Sequence, residues 1–239
     1  MGTVFSFDIR DAVTRDIRTA LTEAVGWLHH VDALFSTYRP DSAISRLSRS
    51  ETTLGQCPAV VAEVLELCAE AARVTDGFFT TTPEGRLDPS GLVKGWAVEG
   101  ASDLLHEAGA DNTCVNGGGD LQMRGEASPG IPWRVGVAHP VLRDQLVTVV
   151  TGRDRAVATS GTAERGDHII DPRTGSPASG TLSVTVTGRH LTQADVFATA
   201  AFAMGPGARS WIAAQDGYEA LMVTTGGETW RSEGFPPGW

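Results

Sequence analysis

Apolar residues recur along this chain first at helical and then at strand spacing, and the change of period divides it. Val4 to Ile9 alternates as a strand, with Phe5, Phe7 and Ile9 on one face. From Asp11, a candidate cap, helical spacing runs to about Phe35, with Ile17, Leu21, Val25, Leu28 and Leu34 as its buried stripe. After the loop STYRPDS comes a short helix around Ile44 to Leu47, for which Ser42 is the cap. Pro58 suits the first position of another helix ending near Gly77, with Val61, Val64, Leu65, Leu67, Cys68 and Ala72 inward. Phe78 to Pro89 is irregular. Ser90 then caps a helix from Gly91 to Ala108, closed by Gly109.

Beyond that point strands dominate. Thr113–Val115 and Leu121–Met123 flank a Gly-rich connection, Asn116 to Asp120, that reads as a hairpin. Further strands are predicted near Trp133–Val137, Leu146–Thr151, Arg155–Thr159, His168–Ile170, Leu182–Thr187 and Glu219–Thr224. Two helices lie among the last of these, Gln193 to Gly205 and about Ala208 to Gln215. The pattern predicts an α+β fold with mostly antiparallel pairing, in one domain over 1–239.

Composition narrows the function classes. Net charge is −10, so a nucleic-acid backbone is not the expected partner, and an acidic chain that binds a phosphate needs a local cation. Cys57, Cys68 and Cys114 form no C-x-x-C, which argues against a disulfide framework or a zinc site. No apolar run reaches the roughly 18 residues of a membrane span. The opening residues read as strand and not as a signal peptide, which sets an expectation of the cytoplasm.

Candidate chemistry sits in four stretches. In the late apolar helix, Asp195 and Thr199 are one turn apart, so carboxylate and hydroxyl point to one spot. Two such oxygens suit a hard cation such as Mg²⁺; an Asp favoured by the helix dipole and a Thr bonding back to a carbonyl would give the same pattern. Asp88 just before a helix and Lys94 inside it suit a phosphate, or equally a capping Asp with a surface Lys. The glycines of Asn116–Asp120 either admit a ligand or simply turn a hairpin. His168, beside the turn at Asp171-Pro172, is placed either for proton transfer or as a structural histidine.

These pieces together resemble the ApbE family, the FAD:protein FMN transferases. The resemblance rests on M-G-T at Met1–Thr3, F-S-T-Y with D-S-A-I-S-R-L at Phe35–Leu47, and D-G-x-F at Asp76–Phe79. It continues through L-D-x-S-G-x-x-K-G at Leu87–Gly95, V-N-G-G-G-D at Val115–Asp120 and A-T-S-G at Ala158–Gly161. H-I-I-D-P-x-T-G at His168–Gly175 and A-D-x-x-A-T-A at Ala194–Ala200 complete the set.

The resemblance implies the family's T-fold-related architecture, with a flavin cleft and Mg²⁺-dependent transfer of FMN from FAD to a Thr or Ser hydroxyl of an acceptor flavoprotein. It implies Mg²⁺ ligands at Asp195, Thr199 and the carbonyls of Ala198 and Gly91. It implies FAD contacts at Met1, Tyr38, Phe78, Phe79, Thr80, Asp88, Lys94 and Ile169. Thr80 stands where the family usually has Asp. His168 is the candidate to take the acceptor's proton. Hydrolysis of FAD to FMN and AMP, and non-enzymatic flavin carriage, are the alternatives that the same residues leave open.

Overall fold

The computed structural model describes residues 2–142, 144–162, 166 and 169–236, with the backbone alone for Glu84. Strand β1 (Phe5–Ile9) leads into helix α1 (Arg15–Phe35). Thr14, and not Asp11, caps that helix, its hydroxyl accepting from the Ile17 N–H at 3.2 Å. Asp11 is engaged elsewhere, accepting from the backbone N–H of Asn112 at 2.7 Å and from its side-chain amide at 2.8 Å. The buried stripe is also rotated from the predicted one. It runs through Ile17, Ala20, Ala24, Leu28, Val31 and Phe35, while Val25 is exposed. The small residues of that stripe suit close packing of one helix on another, and α1 packs on the helix that follows Asp88.

Ser42 caps α2 (Ala43–Ser48) as expected, accepting from the Ser45 N–H. Helix α3 (Ala59–Val74) stops short of Gly77 and buries Ala71 in place of Leu67 and Ala72; Leu67 is exposed. In α4 (Ser90–Glu107), Ser90 is the first helical residue and not the cap, and Asp88 Oδ1 accepts its N–H at 2.9 Å. Gly109, at φ +85°, ends the helix in a conformation that favours glycine. Helix α4 is buried on several sides because it packs against α1, strand β2 (Thr113–Gly117) and helix α5 (Leu191–Met204).

The remaining elements are β3 (Asp120–Arg124), β4 (Trp133–Ala138), β5 (Leu146–Gly152), β6 (Arg155–Gly161), β7 (Ile170–Asp171), β8 (Ser176–Pro177) and β9 (Thr181–Gly188). After α5 come α6 (Ala208–Ala213), β10 (Glu219–Thr224) and β11 (Thr229–Arg231). Strands β8 and β11 are too short to register as alternation, so the sequence pattern did not predict them.

A seven-stranded sheet in the order β1-β2-β3-β6-β9-β10-β11 is antiparallel throughout. Successive residues point to opposite faces. Ala156, Ala158, Val184, Val186, Ala220 and Met222 face the core built with α1, α4 and α5. Met123, Val157, Leu221 and Val223 face the other way, onto Trp133, Val137 and Val150 of the β4–β5 ribbon. Strands β2 and β3 are joined by Gly118-Gly119, both at positive φ (62° and 93°), where a side chain would be strained.

One break in the sheet positions everything that follows. Strand β3 begins at Asp120 and pairs with β6 only from Leu121↔Val157 to Met123↔Arg155, whereas β6 continues to Gly161 along β9. Where β3 is missing, the Thr159 N–H donates to Asp120 Oδ1 at 2.9 Å. Among the described residues, no helix is long and apolar enough to cross a membrane.

Candidate functional site

Helices α4 and α5 cross beside this break, and their contact assembles the site. Asp195 lies one turn inside α5, only 2% exposed, so the helix-dipole reading of an N-terminal Asp does not describe it. Its Oδ2 accepts the backbone N–H of Gly95 at 3.0 Å. Its Oδ1 is 3.6 Å from Lys94 Nζ. That amine also pairs with the carboxylate of Asp120, which is 1% exposed. Lys94 is therefore no surface lysine but a cation shared by two buried carboxylates from β3 and α5.

Burial is the largest influence on Asp195 and pushes its carboxyl up to about 7; Lys94 pulls it back, and the charge of Asp120 reinforces the rise. Thr199 makes contact with the hydroxyl of Ser160 on β6, the two oxygens 3.3 Å apart, so its hydroxyl points away from its own helix toward the sheet. Gly91 leaves room beside it. A Cβ at position 91 would sit 3.2 Å from the Phe79 ring and 3.7 Å from Thr199 Oγ1.

Six of the predicted residues share one cavity of about 210 Å³: Tyr38, Asp88, Gly91, Lys94, Asp195 and Thr199. Tyr38 stands at its rim, 76% exposed, and Ser160 lines it as well. The other predicted contacts lie outside its lining. Phe79 is buried with its ring against Gly91, and Phe78 carries the Arg173 guanidinium 4.1 Å above its ring. Thr80 accepts the Thr82 N–H through its hydroxyl, Ile169 packs on the helical core, and the Ala198 side chain is fully buried. Met1 and His168 lie outside the described residues.

The donor set fits a hard divalent cation. Among the described residues no three His, Cys, Asp or Glu side chains form a cluster. The Asp195 carboxylate and the Thr199 hydroxyl, which line one cavity, are oxygen donors of the kind Mg²⁺ takes alongside water and substrate phosphates. Two further residues belong to the arrangement without having been singled out from the sequence. Asp120 closes the N-G-G-G-D stretch and Ser160 lies in A-T-S-G, so both motifs were visible, but only the fold shows that these side chains converge on Lys94 and Thr199.

A family model described as ApbE family matches residues 1–85 and 80–222. An FAD:protein FMN transferase of Vibrio cholerae is 28% identical over 302 residues, covering 99% of this chain and 90% of that protein. One from Rhodobacter capsulatus is 34% identical over 178 residues, covering 69% of this chain and 34% of that longer protein. The solved structure of the flavin transferase from Vibrio cholerae superimposes with a TM-score of 0.85 at 25% identity, over 100% of this chain and 96% of that one.

Proposed function

Because the chain belongs to the ApbE family, we propose that it transfers the FMN half of FAD to a Thr or Ser hydroxyl of an acceptor protein and releases AMP. The observation that carries this reading is the convergence of Tyr38, Asp88, Gly91, Lys94, Asp195 and Thr199 on one cavity. The acceptor oxygen attacks the FMN phosphorus and a new P–O bond forms. The bond from that phosphorus to the bridging oxygen breaks, and its electron pair leaves with AMP.

Asp195 and Thr199, with the carbonyls of Gly91 and Ala198, would hold Mg²⁺. A bound Mg²⁺ supplies charge neutralisation on the diphosphate and on the departing AMP. Lys94 adds a positive charge at the cavity wall, and the Asp120 and Asp195 carboxylates hold its amine in place. The start of α4, where Ser90 and Gly91 line the cavity, adds the favourable end of a helix dipole for an anion. Tyr38 offers an aromatic face at the rim to one of the dinucleotide's flat rings. Proton acceptance from the attacking hydroxyl is assigned to His168 on its sequence position alone.

The test is incubation with FAD, Mg²⁺ and a panel of Thr-bearing acceptor proteins, followed by fluorescence of the denatured protein bands. A flavin band that survives denaturation and requires Mg²⁺ supports transfer. AMP release with no labelled band would instead mark a hydrolase, and FAD recovered intact would mark a carrier.

A further inference from the structure

Lys94 lines a second cavity, of about 240 Å³, on its other side. We infer that this cavity receives an extended segment of the acceptor polypeptide, its hydroxyl-bearing residue directed toward Lys94; the inference rests on the transferase reading above. Three observations lead to it.

The first is the lining. Consecutive residues of β4 and its continuation, Val135 to Pro140, form one wall, and Gly118, Gly119 and Gly161 lie among the other lining residues. Consecutive residues line a cavity when a strand presents its edge and not one face. Among the described residues β4 pairs only with β5, so its second edge is open to hydrogen bonds from an added strand. Glycines on the other walls leave backbone exposed, which suits the close approach of another main chain.

The second is charge. The lining includes Lys94 and contains no carboxylate, although the chain as a whole carries −10. The negative charge that develops on an attacking oxygen as its proton leaves therefore meets no carboxylate among the lining residues.

The third is direction. Phosphoryl displacement places the attacking and leaving oxygens roughly in line, so the acceptor must come from a different side than the departing AMP. Two cavities that meet at one lysine provide two such approaches. The Asp195 and Thr199 oxygens belong to the first, which leaves the second for the nucleophile.

Ala138 is exposed, lines the second cavity alone and takes no part in the proposed diphosphate site. The experiment uses the whole protein with FAD, Mg²⁺ and a library of short synthetic peptides, each with a central Thr and randomised flanks. Ala138→Trp, with Ala138→Leu as the milder filling should the larger one fail to fold, is expected to lower kcat/KM for peptide labelling. The expected loss is about ten-fold for Trp and smaller for Leu, with FAD affinity unchanged. Labelling as fast as in the wild type would overturn the inference. So would a parallel loss of FAD affinity, which would put the flavin ring in this cavity. A wild-type protein that releases AMP from FAD yet labels no peptide would reject the transferase reading itself, a result that the variants alone cannot produce.

Discussion

The backbone N–H of Gly95 donates to Asp195 across 3.0 Å, and the contact exists because residue 95 has no side chain. A Cβ there would lie 2.8 Å from the Leu191 carbonyl oxygen and 2.9 Å from Asp195 Cβ, both fixed parts of α5. Gly95→Ala must therefore push α4 away from α5. The expected cost is about 1–3 kcal/mol, read as a lower denaturant midpoint, and FAD turnover falls with it because Asp195 shifts. A midpoint equal to that of the wild type would show that the helices have slack.

Removing the shared cation tests the other half of the arrangement. Lys94→Met leaves Asp120 and Asp195 facing each other without a counter-charge, and the expected loss of stability is about 3 kcal/mol. Adding Asp120→Asn should restore part of it, since the buried carboxylate that pairs with Lys94 is then gone. Thermal melts of the single and double variants measure both effects. Absence of recovery would mean that the pair is not coupled through Lys94.

The proposed metal ligands separate by chemistry. Asp195→Ala is expected to lower metal-dependent FAD turnover by at least about 100-fold. Thr199→Val keeps the shape and deletes only the hydroxyl, so it should raise the Mg²⁺ concentration needed for half-maximal turnover by about ten-fold. Unchanged Mg²⁺ dependence in both variants would remove the proposed ion from this place.

Stability should depend on pH through Asp195. Its carboxyl is pushed up to about 7 chiefly by burial, whereas in the unfolded chain it titrates near about 4. Between those values the folded protein retains a proton that the unfolded chain has released, so this group's contribution falls as pH rises. Metal-free wild type is accordingly expected to lose stability relative to Asp195→Asn as pH rises from about 5 to about 8. Urea titrations across that range measure the difference, and a slope of the opposite sign would contradict the assignment.

Much of this was legible in the sequence where a period carried the information. The helical spacing of Asp195 and Thr199 predicts that they face one place, and both residues line one cavity with Lys94. Period failed where partners come from far away. Asp11 has the chemistry of a cap, but Asn112, which is 101 residues distant, takes both its oxygens and leaves Thr14 to start α1. Val25 and Leu67 fit apolar stripes yet face outward, because Ala20, Ala24 and Ala71 make the contacts. Nothing in the local pattern around Asp120 announced a buried partner for Lys94. That pairing depends on where the β2–β3 turn delivers the side chain.

The early end of β3 has one more consequence. Had that strand run two residues further along β6, main-chain pairing would have sealed the gap that Asp120 now spans with its carboxylate. The opening is thus set by where β3 begins, and a β3 that continued along Thr159 and Ser160 of β6 would close it like a zip drawn one notch too far.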